Sequence, residues 1–433
     1  MEENEKREIE YKGNSEKKSF LNGLFTGVMA AVLVMTVAFC IKQVIVIYGN
    51  NSSVQASQKS KTSETAEQET EVSVVNDEVL EKMETIEKVI DNYYYEEDVE
   101  RKTLEDGIYD GMVSALGDPY STYYSEEELK DIMQQTEGIY YGIGAYVSLD
   151  MATGLGQISG VIAGTPAEAA NLREGDLIYE VDGVSAAGME LTEIVGMING
   201  EEGTIVHLTL IREGEDDYVE VDIERKKVES PTVNYEVYDN GMGYIQITEF
   251  DEITIDQFTE AMAVCKGSDV KGIILDLRSN PGGNLSAVVQ IAREILPKGL
   301  IVYTEDRNGE RTEYTCDGKN QIDVPMVVLI NGNSASASEI LAGAIKDYKI
   351  GTLVGTTSYG KGIVQRIISL DDGSAVKLTV SSYFTPNGNN IHGIGIEPDV
   401  VCEFDSESYY EKDIDNQLEE AKKVLQNLID DVK

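Results

Sequence analysis

The chain has 433 residues, 41% hydrophobic and 26% charged, which is enough for two or three domains with cores of their own. A formal net charge of −44 speaks against nucleic-acid binding, which needs a basic stripe, and otherwise implies a solvated acidic surface. Four widely spaced cysteines (Cys40, Cys265, Cys316 and Cys402) form no C-x-x-C pair, so a zinc site, a redox motif and a disulfide framework have no support.

The first element is FLNGLFTGVMAAVLVMTVAFCI (20–41), an uncharged run long enough to cross a bilayer, which VIVIY extends to Tyr48. Lys17 and Lys18 directly before it predict a cytoplasmic N-terminus and an exported body. A cleaved signal peptide is the competing reading. The length of the run and the lack of an A-x-A site after it favour a retained signal anchor, and bulky Phe39 before Cys40 argues against lipoprotein processing. Residues 49–75, rich in Ser, Thr, Gln and Glu, read as a disordered tether. Helical periodicity follows, with Val79, Leu80, Met83, Ile86 and Val89 on one face. TLEDGIYDGMVSALG predicts a second helix that stops at Asp118-Pro119, and SEEELKDIMQQ a third, capped by Ser125 with acids in its first turn.

Between 138 and 228 short β-rich runs alternate with glycine turns and two brief helical stretches, the pattern of a small β-rich domain. From 229 to 405 strands alternate with helices (GYIQITEF, KGIILDLRS, PMVVLIN, SEILAGAIKDY, GTLVGTT), which predicts an α/β layer. Residues 406–433 end in an amphipathic helix with Leu418, Ala421, Leu425 and Leu428 in register.

The stretch NGNSASASEI (331–340) sets three serines at a strand-to-helix turn. Backbone N–H groups there can hold an oxyanion, which favours a nucleophile. Ser336-Ala337-Ser338-Glu339 equally spells an S-x-x-E capping box with no chemistry implied. A nucleophilic serine needs a base. His207 lies mid-strand and reads as a strand histidine, whereas His392 lies in a Gly/Asn-rich loop and position alone does not exclude it. Lys346 and Lys349 should project to solvent. Lys361 stands between Gly360 and Gly362 after a strand, with room to enter a site as a neutral amine if burial lowers its pKa. Ser358-Tyr359-Gly360-Lys361 spells the S-x-x-K of penicillin-recognising enzymes. It falls in strand and turn rather than at a helix start, with no S-D-N or K-T-G after it. The glycines of DLRSNPGG (276–283) can supply oxyanion-hole N–H groups, or form a plain β-to-α turn.

In their order, LEDGIYDGMVSALGDPYSTYYS, YGIGAYV, AGTPAEAANLREGDLIYEVDG, ILDLRSNPGG, NGNSASASEILAGA, GTTSYGKGIVQ and TPNGNNIHGIGIEPDV resemble the carboxyl-terminal processing proteases, serine peptidases with a Ser/Lys dyad and an inserted PDZ domain. The resemblance runs from Glu78 to Asp399. It implies Ser336 as nucleophile, Lys361 as general base and Gln365 as the residue orienting the lysine, with an oxyanion hole from Ala337 and Gly282, or the neighbouring Gly283. It also implies that Gly142, Ile143, Gly144 and Ala145 form a loop that captures a substrate's C-terminal carboxylate, the peptide adding to a strand edge. Where relatives often carry I-R-G, this chain has Ile198-Asn199-Gly200, which puts coupling of peptide binding to activation in doubt. Glu339 either supports the lysine side or only caps the helix.

The expectation is thus an α/β fold: a mixed α/β serine-peptidase core, discontinuous, with an inserted β-rich PDZ domain, helical flanks and an N-terminal transmembrane helix. Its segments are a cytoplasmic tail (1–19), a signal anchor (20–48), a tether (49–75), a helical region (76–137), the PDZ domain (138–228), the peptidase core (229–405) and a C-terminal helix (406–433). The flanking helices either dimerise, as in some relatives, or cap their own core. The implied activity is endopeptidase cleavage of exported proteins with free C-termini, on the outer side of the cell membrane, with no metal or organic cofactor. The rival is an inactive, membrane-anchored PDZ scaffold.

Overall fold

The structure, a computed structural model, describes residues 73–95 and 99–431. The expected tail, membrane anchor and tether up to residue 72 lie outside the described residues. Among the described residues no helix is long and apolar enough to cross a membrane. The described residues up to Tyr95 belong to a unit of their own, helix α1 (Asp77–Tyr93). The Asn76 side chain caps it by accepting from Val79 N–H at 3.1 Å, and Asp77 and Glu78 sit where the helix dipole favours negative charge. None of its residues is buried.

The second unit opens with α2 (Arg101–Ser114), β1 (Thr122–Tyr124) and α3 (Glu126–Glu137). The β-rich insert follows: β2 (Ile139–Gly142), β3 (Ala145–Leu149), β4 (Gly156–Val161), α4 (Pro166–Ala169), β5 (Leu177–Val181), β6 (Val184–Ser185), α5 (Leu191–Ile198), β7 (Ile205–Ile211), β8 (Val219–Glu224) and β9 (Lys226–Glu229). Its main sheet runs β3-β4-β5-β7-β8 with β6 on β5, around a core that includes Ile158, Ile178, Ile194 and Leu208. Strands β2 and β9 pair antiparallel at its base, and Ser230 N–H donates to Gly138 C=O where the chain leaves and re-enters the core.

The core then lays down β10 (Val233–Val237), β11 (Met242–Ile247), α6 (Thr254–Gly267), β12 (Gly272–Asp276), α7 (Leu285–Arg293), β13 (Gly299–Asp306), β14 (Arg311–Cys316), β15 (Met326–Ile330), α8 (Ala337–Tyr348), β16 (Thr352–Gly355), β17 (Ile363–Ser369), β18 (Ala375–Phe384), β19 (Val400–Val401), α9 (Ser406–Lys412) and α10 (Asn416–Asp431). The central sheet has the order β10-β11-β12-β15-β16-β19 and is parallel except for β10. Its strands read as continuous apolar runs because both faces are covered. Ile273, Leu275, Val328 and Ile330 pack among α6, α7 and α8. The alternate Ile274, Val327 and Leu329 pack against Ala421, Leu425 and Ile429 of α10. The C-terminal helix therefore caps its own sheet, so closely that a Cβ on Gly272 would meet Leu425 Cδ1 at 2.7 Å. Its buried face is Gln417, Ala421, Leu425 and Ile429, with Leu418 and Leu428 only partly buried beside it.

A second sheet, β1-β18-β13-β14 with β17 on β18, supplies a wall beside the carboxyl ends of the parallel strands. Ligands in open α/β sheets bind beyond those ends. There the turns after β12 and β15, which are neighbours in the sheet, run side by side.

Candidate active site

The three serines of 334–338 separate by what their hydroxyls touch. Ser334 Oγ donates to Leu277 C=O at 2.8 Å and Ser338 Oγ to Asn280 C=O at 3.0 Å. Both are buried, and with Ala335 N–H donating to Asn280 C=O they lock this turn to the glycine turn after β12. Ser336 alone is partly exposed, lining a cavity of about 950 Å³. Its backbone stands at φ 53°, ψ −111°, a conformation that costs a non-glycine residue about 1–3 kcal/mol and is typically held by surrounding structure at functional sites. Residues around Ser336 hold it there. Tyr383 Oη donates to Ser336 C=O at 3.1 Å, and a Cβ on Gly282 (φ 109°) would meet Ser336 Cβ at 2.7 Å, so only glycine fits behind it.

Glu339 is fully buried, and its carboxylate accepts four hydrogen bonds. They come from Ser336 N–H (2.9 Å), Ser358 Oγ (2.6 Å), Gly360 N–H (2.7 Å) and Lys361 N–H (2.9 Å). Four donors are what a buried carboxylate needs. The capping-box arrangement is present, but the Ser336 hydroxyl makes no cap hydrogen bond of normal geometry. Glu339 thus does more than cap α8, since it ties the serine turn to the lysine loop. Ser358 belongs to the same tie: it is buried, donates to Glu339 and accepts Ile396 N–H at 2.7 Å. That leaves it no place as a penicillin-recognising nucleophile.

Lys361 lines the same cavity as Ser336, with its Nζ 4.6 Å from the ring centre of Tyr120. Its flanking glycines are required by contact, since a Cβ on Gly360 would come within 2.9 Å of Gly395 N and one on Gly362 within 2.7 Å of His392 N. Burial pushes the Lys361 ammonium below its ordinary pKa, and the Lys377 charge adds to that; Asp118 and Glu339 pull the other way. Lys377 lines the cavity and donates to Tyr124 Oη at 2.8 Å. Asp118 accepts from Ser121 Oγ at 2.6 Å, and its carboxyl lies below the usual range through that bond. Gln365 also lines the cavity, but its amide donates to Thr379 Oγ1 at 3.1 Å. Lys377 carried no signal in the sequence, and Asp118 and Tyr120 lay inside a motif of the resemblance without an assigned role. Asp118 read only as a helix stop, and their approach to Lys361 comes from the pairing of β1 with β18.

Ala337 N–H and Gly283 N–H donate to no acceptor among the described residues, and both residues line the cavity. Gly282 N–H is committed to Asn280 Oδ1 at 2.8 Å. Of the two glycines, the free donor is therefore Gly283, whose φ of 134° and approach to Phe250 O (2.3 Å from a Cβ placed there) again demand glycine.

The histidines lie elsewhere. His207 on β7 holds Asp222 and Glu220, each at 2.7 Å, and those two carboxylates raise its pKa. His392 sits exposed in the loop against Gly362. Lys346 donates to Glu397 C=O and pairs with Asp399 at 3.5 Å. In the insert, the loop from Gly142 to Ala145 joins β2 to β3. Ile143 C=O accepts Ala167 N–H (2.7 Å) and Gly144 C=O accepts Ile162 N–H (3.0 Å), which turns the carbonyls inward. Gly144 (φ 85°) leaves no room for a Cβ against Thr165. Strand β3 pairs only with β4 in its sheet, so its other edge is open to an added strand. The Asn199 side chain abuts Gly142 at the start of this loop.

A serine at a helix start and a lysine whose pKa burial lowers thus line one cavity and are tied through a buried carboxylate, an arrangement suited to acyl-transfer hydrolysis. Comparison with known proteins makes the assignment specific. The description Peptidase family S41 matches residues 241–402, a PDZ domain 157–212 and the N-terminal domain of the activating protease CtpB 40–128. The carboxy-terminal processing protease CtpA of Bacillus subtilis (strain 168) is 38% identical over 318 residues, covering 73% of this chain and 67% of that protein. The carboxy-terminal-processing protease of Bartonella bacilliformis is 38% identical over 311 residues, 70% of each. Among solved structures, the photosystem II D1 C-terminal processing protease is 30% identical, with a TM-score of 0.45 over 76% of this chain and 94% of that one. The chain belongs to peptidase family S41, as a serine endopeptidase of the carboxy-terminal processing type with a PDZ domain.

Proposed function

We propose that the chain is a membrane-anchored endopeptidase that takes exported proteins by their C-termini and cleaves them through a Ser336/Lys361 dyad. The observation that carries this reading is the single buried carboxylate, Glu339, that holds the backbone of both residues at one cavity. In the proposed sequence the neutral Lys361 amine takes the Ser336 hydroxyl proton as Oγ attacks the substrate carbonyl carbon. Ala337 and Gly283 N–H hold the oxyanion. The Lys361 ammonium then passes its proton to the leaving amine as the C–N bond breaks. Water, deprotonated by the same lysine, releases the acyl group. Asp118 and Tyr120 position the lysine, and Gln365, to which the resemblance gives the same role, acts through its hydrogen bond to Thr379.

The loop 142–145 with the open β3 edge supports capture of a peptide C-terminus, and Tyr140 and Tyr146 of the insert line the same cavity as Ser336. For location, the uncharged run from 20, with Lys17 and Lys18 before it, supports a retained anchor and an outward-facing catalytic body. Cleavage of an unfolded protein with an apolar C-terminus by the full chain tests the dyad. Loss of activity in both Ser336→Ala and Lys361→Ala, with folding intact, is expected. Full activity in Lys361→Ala would remove the dyad, and binding without cleavage by wild type would favour a scaffold. Recovery of the uncut chain in the membrane fraction tests the anchor.

A further inference from the structure

The cavity at Ser336 has an acidic side that the mechanism above leaves unused. Glu249, Phe250 and Asp251 follow β11, and Phe250 is fully buried in the core. With the period-two alternation of extended chain, the residues on either side of it turn the opposite way, and both Glu249 and Asp251 line the cavity. The segment is hydrogen-bonded to the glycine turn beside Ser336: Phe250 N–H donates to Gly282 C=O at 2.8 Å and Asn284 N–H to Phe250 C=O at 2.6 Å. The acids therefore flank the turn that carries Gly283.

Asp251 is only 6% exposed, yet its carboxylate has no hydrogen-bond or ion-pair partner among the described residues; only its backbone is engaged, with Thr254. Burial and the Glu249 carboxylate push its pKa up to about 7. Glu249 reaches solvent at the cavity. The cationic side chains lining the cavity are Lys361 and Lys377, and neither pairs with these acids; Lys377 is engaged by Tyr124. A carboxylate so largely desolvated and without a protein partner is held in its charged form by a cation that reaches it, so a substrate that brings one gains an interaction absent from the free enzyme.

We propose that Glu249 and Asp251 form a specificity subsite that takes a lysine or arginine side chain of the substrate near the scissile bond. This rests on the Ser336 reading of the same cavity. The test uses the full chain and peptides with one apolar C-terminus, scanned with Lys, Ala or Glu at each interior position, the cut bond being read by mass spectrometry. At one position relative to the cut, Lys should raise kcat/KM about 10-fold over Ala and Glu should lower it. In the double variant Glu249→Gln, Asp251→Asn the Lys/Ala ratio should fall to near one, and Glu249→Lys should turn the preference toward Glu. Binding of the same peptides to Ser336→Ala chain gives a second readout that needs no chemistry. There the Lys peptide should bind about 10-fold tighter than the Ala peptide, and the double variant should lose that difference. Equal binding and equal cleavage of Lys and Ala peptides by wild type, or an unchanged ratio in the double variant, overturns the subsite. Cleavage that persists in Ser336→Ala, with the binding preference intact, instead overturns the nucleophile and leaves the subsite standing.

Discussion

Two stretches of this chain carry the same signature, a serine followed three residues later by a glutamate at a helix start. At Ser125 the box is complete and conventional. The backbone is extended (φ −61°, ψ 169°), Glu128 N–H donates to Ser125 Oγ at 3.3 Å, and Ser125 N–H donates to the exposed Glu128 carboxylate at 2.8 Å. At Ser336 the glutamate still accepts the serine N–H, but it is fully buried and shared with Ser358, Gly360 and Lys361. The serine is forced to positive φ and its hydroxyl is left for other use. Identical local grammar thus ends a helix in one place and, we propose, builds a nucleophile in the other. The difference lies in what the surrounding structure adds: a second loop, a glycine wall and a lysine.

The largest expected contrast is between the two serines. Ser336→Ala should lower kcat/KM by about 10³-fold or more while leaving thermal unfolding nearly unchanged. Ser125→Ala should keep activity and cost about 1 kcal/mol of stability, read from denaturant midpoints. Equal effects on activity would dissolve the distinction.

The glutamates should differ next. Glu339→Gln turns one acceptor oxygen into an N–H₂ facing N–H and O–H donors, so a loss of about 1–3 kcal/mol is expected, together with a fall in kcat from a loosened lysine loop. Glu128→Gln, on an exposed helix start, should stay within about 0.5 kcal/mol of wild type. A Glu339→Gln enzyme with wild-type kcat would mean that the carboxylate only caps.

The smallest effect sharpens the role of the lysine. If Lys361 must be neutral to act, kcat/KM rises with pH through its pKa, which lies below the ordinary 10.5. Lys377→Met removes the like charge that helps depress it, so Lys361 holds its proton to higher pH and the acid limb of the profile moves up. A limb that stays put, or moves down, would show that Lys377 does not tune the base.

Much of this was legible residue by residue. The continuous apolar runs of β12 and β15 require cover on both faces, the glycine turn after Asp276 stops the strand, and Gly360 and Gly362 mark a lysine brought close to backbone. Which of the three serines keeps its hydroxyl free at the cavity was not legible from local pattern. Ser334 and Ser338 are engaged by Leu277 and Asn280, more than fifty residues away in the chain. The choice between Gly282 and Gly283 turns on one side chain, Asn280, taking the first N–H.

By itself the sequence determined most helices, strands and turns of the parallel layer and the order of the motifs, because periodicity, caps and glycine conformations are local properties of the chain. It did not show the β13–β14 hairpin, and the one helix expected over 406–433 is broken at Asp413, in the left-handed region, into α9 and α10. It also contained both halves of the C-terminal helix question, an apolar face with no stated partner; the sheet face of Ile274, Val327 and Leu329 answers it. Only the tertiary structure decided the surroundings of Lys361, the four donors on Glu339 and the unpaired state of Asp251. Each is a matter of burial and of partners far apart in the chain. Those set the cost of a charge and the availability of a hydroxyl, and neither can be read from neighbours in sequence.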